Sequence, residues 1–398
     1  MAKLIPCSLL AAALFAVTFA VNLQAPLYSV YAAESGVGAT AVTFAFAAYV
    51  AGLMPTLMLL GGLSDRIGRR LPIAAALLLG FAATVFLVLS PSWTVLVAAR
   101  FLLGVGTGFA TTAGTAYMTE ILGEAKARQA ALYVTSATSL GFGGGALATG
   151  ISLDLQGPSI MPASFLVLFA LAPVLAVCAL MLPRVDVRKP VSMLRLPVFP
   201  ARTWPFGVAL ALAWSTTGMT IAVVPLQLEA QGFGAYTGLV IFLAIFMGFL
   251  CQPLARRLSN QKALLTGYAL VPIGFLMVLG GVWTQSIILI LAGTGLTSSA
   301  SYGFVYLSGL SEFSLRAPEN RARATAGLFV YAYVGFSLPV IASGALADMF
   351  GLLSAMSAFF LFLLAITVVS VAIWLRGGGN SLRSRKTGMA ASTQPARW

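Results

Sequence analysis

The chain has 398 residues, 60% of them hydrophobic and only 8% charged, with a mean hydropathy of +0.97. Soluble domains carry about 25% charged residues, so these proportions exclude a soluble globular fold and mark an integral membrane protein whose first partner is the lipid bilayer. A net charge of +13 would otherwise point to nucleic acid, but the basic residues cluster in the connections between apolar runs, which excludes that partner.

Apolar runs of about 20 residues, long enough to cross a bilayer as helices, occur twelve times. The first, 6–31, follows Lys3 and has a secretory-leader look. It continues past Asn22 and Gln24 to Tyr31, as expected of a retained helix. Run 40–61 ends in a charged turn, Gly61-Gly62-Leu63-Ser64-Asp65-Arg66-Ile67-Gly68-Arg69-Arg70, and run 71–90 follows. Four charges between two lipid-embedded runs make this a short hairpin at the membrane surface. Gly61 and Gly68 allow close approach, Asp65 can cap or face a helix N-terminus, and Arg66, Arg69 and Arg70 sit among headgroups.

Run 93–117 contains Arg100, about seven residues from its start, or ~10 Å deep at 1.5 Å per residue. A charge at that depth is costly and functional by default. The alternative is a side chain that reaches back to the surface, toward Asp154 or Glu34. Run 129–153 carries Gly141-Phe142-Gly143-Gly144-Gly145, expected either to flex as a hinge at Gly141 and Gly145 or to let helices pack closely. Run 161–183 ends the first half, 1–183, and a basic linker, 184–203, follows. Runs 204–228, 235–255, 263–283, 286–310, 322–347 and 352–375 form the second half, 204–376, with a kink expected at Pro339. The tail, 377–398, is rich in Gly, Ser and Arg and is expected to be disordered.

With the N-terminus in the cytoplasm, every Lys and Arg except Arg100 falls on the cytoplasmic side. The outward connections hold Glu34, Asp154, Glu229 and Asp348 and no basic residue. That asymmetry predicts a multi-pass protein of the cytoplasmic (inner) membrane with both termini inside. The halves also repeat each other in order. Pro26-Leu27 returns as Pro225-Leu226, Gly36-x-Gly38-Ala39 as Gly232-x-Gly234-Ala235, and Leu63-Ser64-Asp65-Arg66 as Leu258-Ser259-Asn260-Gln261. Gly141-Phe142 and Gly150-x-x-x-Asp154 return as Gly335-Phe336 and Gly344-x-x-x-Asp348.

The turn at 61–70 resembles the signature between the second and third helices of the major facilitator superfamily, Gly-x-Leu-Ala/Ser-Asp-Arg-x-Gly-Arg-Arg/Lys, and fills every fixed position. The resemblance runs from about residue 6 to 376. It implies an all-α membrane fold of twelve helices in two pseudo-symmetric six-helix bundles, with substrate held between the halves near the midplane. Arg100-x-x-x-Gly104-x-Gly106-x-Gly108 resembles the superfamily's helix-4 motif, which implies that Arg100 faces the central cavity and serves substrate binding or proton coupling. Exporters of the drug:proton antiporter group show Gly-Pro-x-x-Gly-Gly on helix 5; here the proline is missing, so that signature is half present.

Asp65, Glu120 and Arg128 are expected to join an ion-pair network that holds the cytoplasmic face closed in the outward-facing state, built mainly on the first half because Asn260 replaces the aspartate in the second. Helices that line the superfamily's pathway supply Asn22, Gln24, Tyr28, Tyr49, Thr107, Trp214, Thr217, Gln227, Thr297, Tyr302, Tyr306, Tyr331 and Tyr333 as cavity candidates. Such a pocket suits an amphipathic organic solute. With no acid at mid-membrane, cargo should be neutral or anionic, and a transported proton would ride on a peripheral carboxylate, first Asp154 paired with Arg100.

The leading expectation is a monomeric secondary transporter driving proton-coupled efflux of a small organic solute, without cofactor or metal. The chain has no histidine, and Cys7, Cys178 and Cys251 are scattered. An importer of a small organic anion, with Arg100 as receptor, is the alternative. A membrane transferase would need His or paired interfacial acids, neither of which is present, and no ring of pore residues marks a channel.

Overall fold

A computed structural model describes residues 3–184 and 192–391, with side chains through Arg376; Arg188 and Lys189 of the basic linker lie outside the described residues. The described residues contain no strand. Twelve long helices run α1 (Leu4–Ser35), α2 (Ala39–Leu59), α3 (Arg70–Leu89), α4 (Trp93–Leu122), α5 (Ala127–Gln156) and α6 (Ala163–Met181) in the first half. The second half holds α7 (Trp204–Ala230), α8 (Gly234–Ala255), α9 (Asn260–Trp283), α10 (Ile287–Leu315), α11 (Pro318–Phe350) and α12 (Leu352–Ala391). Helices are what lipid demands, because every backbone N–H and C=O must be bonded within its own segment. Eleven of the twelve are long and apolar enough to cross a membrane; α5, diluted by glycines and hydroxyl residues, falls short in hydropathy yet packs in the same bundle.

The final helix continues past Arg376 to Ala391, where disorder was expected. Extending a helix that the membrane span has already nucleated adds one backbone bond per residue without a new nucleation cost.

Within the first half α1 packs on α5, α2 on α4, and α3 on α4 and α6. The second half repeats this with α7 on α11, α8 on α10, and α9 on α10 and α12. The halves meet through α2 against α11 and α5 against α8. Burial follows position: 89% of the most apolar window of α7 is buried but only 22% of that of α12, whose Leu361, Phe362, Val368 and Val369 stay exposed as a lipid-facing surface would.

Two helices break at matching prolines. In α1 the regular helix stops at Asn22, a tight turn spans Ala25–Leu27 around Pro26, and helix resumes at Tyr28. In α7 it stops at Ala222 and resumes at Val224, with Pro225 just inside. Proline lacks the N–H that would continue the ladder, so each break leaves carbonyls inside the bundle that need other donors.

Candidate functional site

The arginine-rich end of the bundle is called the basic end here, and the end bearing Glu34, Asp154, Glu229 and Asp348 the acidic end. At the acidic end the halves are shut. The Asp348 carboxylate, at the end of α11, accepts the N–H of Ala39 at 2.7 Å and of Thr40 at 2.9 Å, the first residues of α2 in the other half. A carboxylate on a helix N-terminus satisfies otherwise unpaired N–H groups and the helix dipole together. The fit is close on both sides: a Cβ on Gly38 would overlap the Asp348 carboxylate, and one on Gly344 would overlap the Thr43 hydroxyl. Below this seal the Phe46 and Phe336 rings meet across the halves, tilted, at 4.7 Å between centroids. On the other flank a Cβ on Gly143 would meet Phe242 at 2.9 Å, and one on Gly150 would meet Gly238 at 3.2 Å.

At the basic end the halves part. A cavity of about 650 Å³ lies between α2, α4 and α11, lined by Met54, Met58, Thr111, Thr115, Thr325 and Phe329, with Asp65, Arg69, Glu120 and Arg195 at its mouth. Its threonines recur four apart at 111, 115 and 119, a single stripe of α4, and that spacing was available in the sequence.

Above the cavity Phe329 adjoins an aromatic cluster. Trp214 has Tyr333 at 5.1 Å, Tyr302 at 5.5 Å, Phe336 at 6.0 Å and Phe329 at 6.4 Å, and Tyr306 stacks on Phe329 at 6.4 Å. The Trp214 indole N–H is buried without a hydrogen-bond partner. Tyr302 owes its position to a π-helical stretch, Ser299–Val305, inside α10. Ser298 there accepts the Gly248 N–H at 2.8 Å, and Ser301 meets Thr217 at 3.3 Å. Such bulges frequently mark functional positions; the run Ser298-Ser299-Ala300-Ser301 is its only trace in the sequence.

Arg100 does not face the open cavity. It is 1% exposed; its guanidinium donates to the Val21 carbonyl at 2.7 Å and to the Phe46 carbonyl at 3.4 Å. It also lies over the rings of Tyr49 at 4.8 Å and Phe46 at 5.3 Å. No carboxylate among the described residues pairs with it. The expected Arg100–Asp154 pair is absent, because the broken end of α1 occupies the guanidinium and Asp154 lies exposed in a separate pocket at the acidic end with Glu229.

The other candidates separate in the same way. The structure brings Tyr49, Trp214, Tyr302, Tyr306 and Tyr333 to one cluster region, with Thr107 beside Tyr49 and Thr217 below Trp214. Asn22 instead donates to the Phe142 carbonyl at 2.9 Å, Gln24 to Val21 at 3.1 Å, and Tyr28 is buried in the α1 break. Thr297 bonds back to Thr294 within α10, and Gln227 sits half-buried in the last turns of α7. Tyr331 points away from the cavity, edge-on to Phe199 at 5.7 Å. Gly141 and Gly145 pack α5 against α1, since a Cβ on either would overlap α1. Pro339 lies inside the helical run Arg321–Phe350.

The signature turn folds as the short helix Leu63–Ile67 with Gly68 at φ +91°. Arg69 bridges Asp65 at 2.6 Å and Glu120 at 2.8 Å, and donates to Ser64 at 2.7 Å. Burial opposes the Arg69 charge, but the hydrogen bond and charge of Glu120 and the charge of Asp65 outweigh it and hold its pKa above the usual value. Asp65 also pairs with Arg195 of the linker at 3.1 Å. Arg66 is exposed, Arg70 adjoins Tyr117, and Arg128 is exposed outside the network. In the second half Asn260 donates to Glu312 at 3.0 Å, a neutral echo of Arg69 and Glu120.

A family model described as Major Facilitator Superfamily matches residues 10–333, and the chain belongs to that family. It is a membrane transporter, not an enzyme. Among solved structures it resembles a mutant of the nucleoside transporter NupG, with a TM-score of 0.75 and 14% identity over 92% of this chain and 99% of that one. It also resembles a bacterial homologue of the human lysosomal transporter Spinster in an inward-facing, unoccupied conformation, with a TM-score of 0.69 and 14% identity over 93% and 95% of the two chains. No curated protein matches by sequence.

Proposed function

We propose that the chain works by alternating access in the cytoplasmic membrane, both termini inside, and exports a small neutral or weakly amphipathic organic solute at the expense of a proton gradient. The conformation described is then the inward-facing one. The observation that carries this reading is the pairing of a sealed acidic end, where Asp348 holds α2, with a cavity of about 650 Å³ opening between the halves at the basic end. Positive charge marks the cytoplasmic side, so the cavity opens inward. The aromatic cluster around Trp214 supports a cargo with a ring to stack, and its unpartnered indole N–H supports one acceptor on that cargo. The glycine-rich α5 supports export through its resemblance to exporters. The burial of Arg100 and its bonds to backbone carbonyls in this conformation favour this reading over import of an anion received by Arg100.

The test is counterflow in proteoliposomes, screened over metabolites and antimicrobials. Labelled solute should accumulate transiently when unlabelled solute waits on the far side, and a proton gradient should drive net movement. Conductance without counterflow would replace the carrier with a channel.

A further inference from the structure

Residues 192–201 of the linker lie as a strap across the basic end, docked on both halves. On the first half the Arg195 N–H donates to the Met58 carbonyl at 2.7 Å, the Gly62 N–H donates to Met193 at 3.2 Å, and the Arg195 guanidinium pairs with Asp65 at 3.1 Å. On the second half the Val198 N–H donates to the Arg323 carbonyl at 3.0 Å, and the Arg323 side chain donates to Leu196 at 3.0 Å. Arg316 donates to Ala201 at 3.1 Å, and Phe199 packs on Tyr331. The strap crosses from one half to the other between Arg195 and Leu196.

The seats are cut for it. A Cβ on Gly62 would overlap the Ser192 carbonyl and one on Gly327 the Val198 carbonyl, and in both cases the nearest atoms all belong to the strap. A Cβ on Gly61 would meet the Arg195 side chain at 2.8 Å. A slack connection would need no such approach. From the Arg195 nitrogen to that of Val198 is three residues, ~10 Å at full extension, so the Met58 and Arg323 carbonyls are held within roughly 16 Å of each other. The docked strap therefore bounds the spacing of α2 and α11 both ways, as a tether against wider separation and, by its close packing on Gly62 and Gly327, as a wedge against nearer approach.

We infer that the strap is a working part of the transport cycle, with Arg195 as a positioning residue that holds Asp65 while the basic end is open. The inference rests on the alternating-access reading. When the basic end closes, α2 and α11 converge, and the strap, packed tightly against Gly62 on one side and Gly327 on the other, fills the space they need and has to leave one seat. Docking thus favours the open basic end, and Arg195, which itself lines the cavity mouth, is released when that end shuts.

The experiment uses a full-length protein with Cys7, Cys178 and Cys251 replaced and Thr43→Cys added. Thr43 is fully buried where α2 meets α11 at the acidic end, so its alkylation by a soluble maleimide reports opening of that end. Arg195→Ala, Gly62→Ala and Gly327→Ala should each raise the alkylation rate by ~3-fold or more, and Arg195→Lys by less. Size-exclusion profiles identify any variant that fails to fold, and the two glycine variants reach the strap by contacts independent of the ion pair. Unchanged or lowered rates in the folded glycine variants would overturn the strap, even if Arg195→Ala alone shifted the rate. The assay needs no cargo, so failure to find a transported solute would count against the proposed function and not against this inference.

Discussion

The Arg100 guanidinium bonds the carbonyl of Val21 at 2.7 Å, in the last turn of the regular helix that stops at Asn22, four residues before Pro26. Pro26 ends the regular helix of α1, leaving its C-terminal carbonyls and dipole inside the bundle. Arg100 answers them from α4, Gln24 adds a second donor to Val21, and Thr149 from α5 takes Leu23 at 2.7 Å. The rings of Phe46 and Tyr49 cover the remaining charge. Arg100 is in this conformation a support of the broken helix.

Arg100→Ala should accordingly destabilise the folded protein by ~2–4 kcal/mol, the scale of a charged hydrogen bond plus a desolvated cation–ring contact. Thermal unfolding followed by tryptophan fluorescence would read it, with Arg100→Lys intermediate because it keeps one donor but not the fork. An alanine variant as stable as the parent and merely inactive would return Arg100 to the cargo site.

Asp348→Asn should weaken the acidic seal by about 1 kcal/mol, since an amide oxygen still accepts an N–H but carries no charge for the dipole of α2. Alkylation of Thr43→Cys should rise by roughly 5-fold. Protonation does the same chemically. The stabilisation from ionised Asp348 is present above its titration and lost as pH falls through it, so acid on that side should speed labelling of the parent relative to a free thiol at the same pH, whose own reaction slows as its thiolate is protonated. The Asp348→Asn variant should keep the same rate relative to the free thiol at either pH; a relative acid response that survives the substitution would mean that Asp348 does not carry it.

How much of this was legible in the sequence depends on the range of the signal. The spans, the repeat and the turn at 61–70 are local patterns of hydropathy, glycine and charge, and each predicted run has its helix. Arg100 was rightly singled out as a costly charge, but its partner is a backbone carbonyl 79 residues away, and a carbonyl leaves no mark in a sequence. The glycines of α5 were visible, while their division between α1 (Gly141, Gly145) and α8 (Gly143, Gly150) depends on which way each faces. The strap was invisible for a further reason: main-chain bonding to Met58 and Arg323 asks little of the side chains that make it.

Asp65 and Arg195 should be energetically coupled. Asp65→Asn and Arg195→Ala each remove one side of a half-buried pair, so a double-mutant cycle on the alkylation equilibrium should return an interaction of ~0.5–3 kcal/mol. Strict additivity would mean that Arg69 alone satisfies Asp65.

Trp214→Phe keeps an aromatic ring but removes the indole N–H, which has no partner among the described residues, together with part of the buried ring volume. Folding stability should fall by about 1–2 kcal/mol from the lost ring volume, while cargo that bonds this group should lose roughly 5- to 30-fold in affinity, the worth of one hydrogen bond. Unchanged affinity would place the cargo away from Trp214.

The most direct test joins the halves where they are sealed. Thr43→Cys and Gly344→Cys, placed where the Thr43 hydroxyl crowds Gly344, should form a disulfide in the cysteine-free protein under mild oxidation. With the acidic end locked, counterflow should stop while the basic-end cavity stays reactive to a maleimide at Thr115→Cys, and reduction should restore exchange. Oxidised and reduced protein exchanging solute at the same rate would contradict transport by alternating access through this interface.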